Sequence, residues 1–332
     1  DIIDSIEKGN TSITTYFKRR FDTDMEEDWI LYSPSVMYSV SLLIRLLSQP
    51  HDKVLTMNPM YDSFISVIKE NDRELVSHHL IKEEGTFKID FDVFEKQAQE
   101  STLLLLCSPH NPTGRIWSDE EMHRMIEICK KYQVKIISDE IHMDIRIKDA
   151  KHHPLMKYYG EYKDIFTASS SSKTLNTPGL IGAYVIMPDE KIREEFLGVT
   201  RSRDFLNSAS IFGMYATMIG YTECDDYIDQ LNEYIRGNME LVENFIRDEL
   251  KDFKFQRPEA TYLAWIDARD VPFTSDEIQD ALVNVGGVAI MKGEIYGENG
   301  AKYLRMNLGC PRSKIEEGLK RFKKAMDYLY NK

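Results

Sequence analysis

The stretch STLLLLCSPHNPTGRIWSDEEMHRMIEICKKYQVKIISDEIH, residues 101–142, decides how the chain is to be folded. Leu103 to Leu106 and Val134 to Ile137 are short apolar runs, and between them Met122, Ile126 and Cys129 recur on one helical face. Short apolar runs bounded by turn residues read as buried strands, and the i, i+4, i+7 recurrence as an amphipathic helix. Ser118 with Glu121 makes a capping box that starts this helix. A strand, a crossover helix and a second strand in that order imply parallel pairing, hence an α/β sheet.

The alternation continues on both sides. Lys53–Met57 precedes a helical pattern over Tyr61–Lys69, and Ile165–Ala168 is a further strand candidate. Upstream, Val36, Val40, Leu43 and Leu47 form a helical stripe that begins just after Ser33-Pro34-Ser35, which marks a helix N-terminus there. After about residue 225 the pattern changes. A long polar helix over Tyr227–Leu250 is followed by strand candidates at Tyr262–Ile266, Val288–Met291 and Tyr303–Asn307. A last helix carries Ile315, Leu319, Phe322, Met326 and Leu329 on one side. The reading is a large α/β domain with a mostly parallel sheet, residues 30–225, and a smaller α+β domain built from residues 1–29 and 226–332.

At 332 residues and 42% hydrophobic content the chain is long enough for one large domain and a smaller one. Its formal charge of −13 opposes a nucleic-acid or anionic-membrane partner and points to small molecules. No segment approaches the roughly 20 apolar residues of a membrane span. Cys107, Cys129, Cys224 and Cys310 lie far apart without a CxxC pair, so neither a disulfide framework nor a zinc site is expected. These features point to the cytoplasm. The opening Asp1-Ile2-Ile3-Asp4 has neither a signal pattern nor a start methionine, so an upstream segment is expected. The Lys8-Gly9-Asn10-Thr11-Ser12 junction reads as an interruption, with residues missing between Asn10 and Thr11.

Four elements carry chemistry. Ser169-Ser170-Ser171-Ser172-Lys173-Thr174 follows a strand candidate. A lysine amine condenses with an aldehyde cofactor, and neighbouring hydroxyls hydrogen-bond a phosphate, although serine runs are ordinarily solvated loops. Asp139 ends the strand Val134–Ile137, where an acid faces the crevice in which α/β sheets bind ligands. It suits a pyridinium nitrogen, and equally a magnesium ion or a helix cap. Asp139, Glu140, His142 and Asp144 could share a metal, but no second ligand cluster completes such a site and none is expected. Asn111, in Ser108-Pro109-His110-Asn111-Pro112-Thr113-Gly114, is either a turn residue or an amide aimed at a cofactor oxygen. Arg305 on Tyr303–Asn307 forks a carboxylate or forms an exposed ion pair.

Taken together, SPHNPTGRIW (108–117), SDEIHMD (138–144), SSSKTLNTPGL (170–180), ATYLAWID (260–267) and YLRMNLGCPR (303–312) resemble the fold-type I pyridoxal-phosphate (PLP) enzymes of aminotransferase classes I and II. The likeness is greatest to the MalY/PatB subfamily of cystathionine beta-lyases, and it covers nearly the whole chain. It implies pyridoxal 5'-phosphate as cofactor and Lys173 as the Schiff-base lysine and proton carrier. Asp139 would be the pyridinium partner, with Asn111 and His142 on the phenolic oxygen and Tyr61 stacked on the ring. Ser170, Ser172 and the backbone amides of Ser35, Val36 and Met37 would hold the phosphate, and Arg305 the substrate α-carboxylate. It also implies a homodimer with active sites at the subunit interface.

Three departures bear on the resemblance. Ser35 stands where the subfamily has glycine after Pro34. Ile181 stands where many aminotransferases carry a phosphate-binding arginine eight residues past the lysine, which favours the lyases. The subfamily's N-terminal arm, and the Gly-Tyr element that reaches the neighbouring subunit's phosphate, have no counterpart here. The expected activity is elimination of a thiol from a sulfur-bearing L-amino acid. The alternatives are an aminotransferase and a non-catalytic PLP-binding regulatory domain.

Overall fold

The computed structural model describes residues 2–206 and 210–332, with side chains from residue 7 onward. Its strands are β1 (Ile30–Ser33), β2 (Lys53–Asn58), β3 (Glu74–His79), β4 (Ile81–Glu83), β5 (Thr86–Lys88), β6 (Leu103–Cys107), β7 (Lys135–Asp139), β8 (Ile165–Ser169), β9 (Ala183–Ile186), β10 (Leu263–Asp267), β11 (Met291–Lys292) and β12 (Tyr303–Asn307). Its α-helices are α1 (Ile2–Phe21), α2 (Val36–Leu47), α3 (Asp62–Lys69), α4 (Phe91–Gln99), α5 (Asp119–Tyr132), α6 (Glu190–Gly198), α7 (Ile211–Glu223), α8 (Asp225–Glu249), α9 (Ser275–Ala281) and α10 (Arg312–Tyr330).

Seven strands form one sheet in the order β1-β9-β8-β7-β6-β2-β3. The run from β3 to β8 is parallel, and β9 and β1 close one edge antiparallel. Every residue of β6 (LLLLC) and β8 (IFTAS) is buried, as strands covered on both faces require. On one face α2, α3 and α6 pack through Val40, Leu43, Phe64 and Phe196. On the other, α4 and α5 pack through Phe94, Met125 and Ile126. Both arms of the Ser118–Glu121 capping box are present, and α2 starts where the proline-flanked serine predicts, with Ser35 Oγ accepting the Tyr38 amide at 3.0 Å.

The chain turns outward from β2 to β3 and later resumes on the other side at β6, so the C-terminal ends of β2 and β6 flank a topological switch point. Ligands of open α/β sheets bind in such crevices. The second sheet, β10-β12-β11, is antiparallel. It shares a core with α8, α9 and α10 through Val242, Ile246, Ile266, Ile278, Leu304 and Phe322.

Two sequence expectations change. The strand predicted at Val288–Met291 shrinks to Met291–Lys292. A π-helical turn over Leu282–Gly286 is followed by a Val288 amide that bonds back to the Leu282 carbonyl at 2.9 Å, and Ile290 is buried by packing without strand pairing. The N-terminal helix, expected with the smaller domain, instead buries Ile13, Tyr16, Phe17 and Phe21 in the core of the large sheet. Tyr16 stacks on Tyr221 of α7, ring centroids 3.9 Å apart. This helix also runs unbroken through Lys8–Ser12. Asn10 Nδ2 donates to the carbonyls of Glu27 and Ile30, and a Cβ on Gly9 would stand 2.2 Å from Tyr32 Oη, so the apparent interruption is a close approach.

Candidate active site

Four strand ends build one wall. Past β2 the chain passes Tyr61, the residue that caps α3; past β6 it passes Asn111; β7 ends in Asp139; and β8 leads into the turn that carries Lys173. The opposite wall comes from the small sheet, where β12 contributes Arg305. All these residues line a single cavity of about 340 Å³ together with Ser35, Val36, Met37, His142, Ser170 and Ser172.

The polar side chains are held. Asn111 Oδ1 accepts from Arg305 Nη1 at 3.3 Å, and the guanidinium lies 4.6 Å from the Tyr296 ring centroid. Asn111 therefore bridges the large-sheet wall to the small-sheet wall. Ser170 donates to the Gly182 carbonyl, and its oxygen accepts the Ser172 amide at 3.1 Å. The Ser171 hydroxyl meets Thr217 of α7 at 2.9 Å. Close approach of α7 to this turn depends on glycine. A Cβ on Gly213 would lie 2.7 Å from the carbonyls of Leu180 and Ile181 and 2.8 Å from Gly182 Cα.

Electrostatics single out two groups. Asp139 is buried, and desolvation pushes its carboxyl up to about 7, against the Ile141 amide and the Lys173 charge, which favour ionisation. An acid so placed gains from a cation brought into the cavity. His142 is also buried, and burial together with the Lys173 and Arg305 charges lowers it to about 3. It is thus a neutral imidazole, and its Nδ1 has no partner among the described residues. The donors fit a phosphorylated pyridine: an acid for a ring nitrogen, Asn111 and His142 for a ring oxygen, an aromatic at Tyr61, and the first-turn amides of α2 with Ser170 and Ser172 for a phosphate.

The four residues weighed as a shared metal set diverge. Asp139 and His142 face the cavity. Glu140 accepts from Ser138 Oγ and the Leu155 amide and lies 3.4 Å from His152. Asp144 accepts from Tyr16 Oη at 2.5 Å and Thr174 Oγ1 at 3.0 Å. Among the described residues, no three His, Cys, Asp or Glu side chains converge on a metal position.

Among the wall residues that the sequence does not announce are Tyr262 and Asn307. Asn307 was accessible to sequence reasoning, since it stands two positions from Arg305 and shares its face of β12. Tyr262 sits edge-on to His142 with centroids 5.6 Å apart, a contact made only by the fold. Ile181 lines the cavity at a left-handed φ of 54°, which a β-branched residue seldom adopts.

The model for the family "Aminotransferase class I and II" matches residues 3–322. Protein MalY of Escherichia coli (strain K12) is 34% identical over 310 residues, 93% of this chain and 79% of that protein. Cystathionine beta-lyase PatB of Bacillus subtilis (strain 168) is 31% identical over 323 residues, 96% of this chain and 83% of that one. Among solved structures, cystalysin from Treponema denticola, which contains a pyridoxal 5'-phosphate cofactor, superposes with a TM-score of 0.92. It is 30% identical, across 97% of this chain and 82% of cystalysin.

Proposed function

Since the chain belongs to the aminotransferase class I and II family, we propose that it is a PLP-dependent C-S β-lyase, which eliminates a thiol from an L-amino acid to leave pyruvate and ammonia. The observation that carries the reading is the meeting of Lys173, Asp139, Asn111 and Arg305 in one cavity at the strand ends. The lyase names of similar proteins and Ile181 in place of an arginine support it further.

Arg305 binds the substrate α-carboxylate, and Asn111 fixes the guanidinium that does so. Asp139, when ionised, would keep the ring nitrogen of the cofactor protonated. The neutral His142 and Asn111 would hold the ring oxygen, Tyr61 would cover the ring, and Ser170, Ser172 and the amides of Ser35, Val36 and Met37 would hold the phosphate. Bound there, PLP supplies an electron sink for the pair left at Cα. Lys173, with its amine free, would take the Cα proton. The Cβ–S bond breaks with its pair on sulfur, and the released aminoacrylate hydrolyses to pyruvate and ammonia. The large unit, residues 30–225, holds the cofactor, and residues 226–332 carry the carboxylate clamp. We place the enzyme in the cytoplasm.

A homodimer completes the reading. Ile211, Phe212, Tyr215 and Ile219, between 45% and 75% exposed, form an apolar face along α7 beside the lysine turn, larger than isolated surface residues make. Light scattering should give twice the chain mass, and Phe212→Lys should shift it toward monomer. The activity is tested by adding PLP and a thioether amino acid and measuring pyruvate. Formation of pyridoxamine phosphate without pyruvate would move the assignment to an aminotransferase.

A further inference from the structure

The loop between β11 and β12 follows the small sheet in sequence, yet it bonds to the end of the large one. It makes two 3-10 turns, Gly293–Tyr296 and Glu298–Gly300. The Tyr296 carbonyl accepts the Met60 amide at 2.8 Å, one residue before Tyr61. Asn299 donates its amide to Asn58 Oδ1 at 3.2 Å, and its Nδ2 reaches the carbonyls of Asn58 at 3.1 Å and Leu80 at 3.0 Å. Asn58 is the last residue of β2. The contact is close, because Gly297 has a φ of 103° and a Cβ there would stand 2.7 Å from Asn58 Oδ1. The loop is thus fastened to the strand end that leads to Tyr61.

What it carries there is the Tyr296 ring. That ring is fully buried and edge-on to Trp265, centroids 5.5 Å apart, and Trp265 in turn stacks on Tyr303 at 5.0 Å. Trp265 stands directly across the ladder from Arg305, whose guanidinium lies 4.6 Å from the Tyr296 centroid. Desolvation pushes the Tyr296 hydroxyl up to about 12 against the Arg305 charge, and that hydroxyl has no partner among the described residues. The ring is therefore neutral, and it meets the cation as a π system and not as an ion or a hydrogen-bond partner.

Arg305 needs such a support. Its side chain has one hydrogen bond among the described residues, to Asn111 at 3.3 Å, which is long for a bond from a charged donor. An arginine fork that must be ordered at each encounter loses affinity for the carboxylate it grips. A ring fixed beneath the guanidinium removes part of that cost in advance.

We propose, resting on the C-S lyase reading for the ligand of Arg305, that Tyr296 is a positioning residue for the carboxylate clamp and that Asn299, through Asn58, sets its place. The guanidinium arrives on β12 and the ring arrives from the end of β2. The clamp is thereby aligned with the strand ends that line the cavity, and not with its own sheet alone. Because the carboxylate contact is common to bound substrate and transition state, the ring acts on KM and leaves kcat.

The test measures pyruvate release from S-methyl-L-cysteine by the PLP-loaded protein. Beside it, calorimetry measures binding of 3-(methylthio)propanoate, a carboxylate without an amine, to the same protein. Tyr296→Leu should raise KM about fivefold with kcat within about twofold, and should weaken the inert acid as much. Tyr296→Phe, which returns the ring, should rescue both. Asn299→Ala should raise KM about threefold alone and add little to Tyr296→Leu, because it acts through the ring. Four results overturn the proposal and leave the lyase reading standing: a loss in kcat in place of the rise in KM, a loss of PLP affinity in its place, Tyr296→Phe as harmful as Tyr296→Leu, or fully additive effects of the Asn299 and Tyr296 changes. If Tyr296→Leu does not fold, Asn299→Ala decides alone, and an unchanged KM overturns the proposal. No pyruvate from any form removes the lyase reading. The inert acid then judges the clamp, and binding that neither Tyr296→Leu nor Asn299→Ala weakens overturns its positioning by the ring.

Discussion

Asp139 and Asp144 stand five residues apart in one segment, both buried, and they end in opposite situations. Behind the lysine turn, Asp144 takes hydroxyls from Tyr16 and from Thr174, the residue next to Lys173. In front of it, the Asp139 carboxylate has one hydrogen bond among the described residues, from the Ile141 amide at 3.1 Å. Burial raises both carboxyls. The chain completes the first acid from its own side chains and leaves the second short of donors, which is the condition of a group that awaits a ligand.

The contrast can be broken in order of size. Lys173→Ala should cut pyruvate formation about a thousandfold or more, because the imine-forming amine and the proton carrier go together. Asp139→Ala should weaken PLP about a hundredfold by equilibrium dialysis, the scale of truncating one partner of a buried charge pair, while Asp144→Asn should leave PLP affinity within a few-fold. Arg305→Lys should raise KM about tenfold with little change in kcat, since a point charge replaces a bidentate fork.

The pH response sharpens the same contrast. Folded PLP-free protein holds a proton on Asp139 up to about pH 7 that the unfolded chain, near 3.8, gives up earlier. That stabilisation is complete below the unfolded value and is lost as pH rises through about 7. PLP affinity runs the other way, since the ring needs the ionised acid, and it should fall as pH drops through about 7. Asp139→Asn should flatten both curves in thermal melts and binding titrations. The smallest effect is Tyr16→Phe, which should cost about 1–2 kcal/mol in chemical denaturation and leave the pH curves alone.

Much of the site was legible because its chemistry sits at strand ends, and strand ends are local in sequence. An apolar run followed by Asn111, Asp139 or Lys173 states both the strand and the direction in which its last residues face. Tyr262 was not legible, since only the small sheet's packing brings it to His142. The allegiance of α1 was hidden for a similar reason. Phe17 and Tyr16 fit any apolar core, and their partners, Tyr221 among them, lie some two hundred residues away. At Val288–Met291 the apolar run was real, but the π-helical turn before it had already taken the Val288 amide.

Helix α8, 25 residues long, reaches from one unit to the other. Arg19 and Arg20 of α1 grip Asp225 and Asp229 at its start, Asn232 fastens it to the Asp144 carbonyl, and its distal half lies in the small-sheet core. Mechanically it is a lever whose fulcrum lies next to the segment that carries Asp144. With an arm of about 26 Å beyond Asn232 at about 1.5 Å per residue, a swing of one degree moves its far end by about 0.4 Å. The core that its far half shares holds Leu304 and Met306, the neighbours of Arg305, so rocking of this single rod would carry the carboxylate clamp relative to the strand ends.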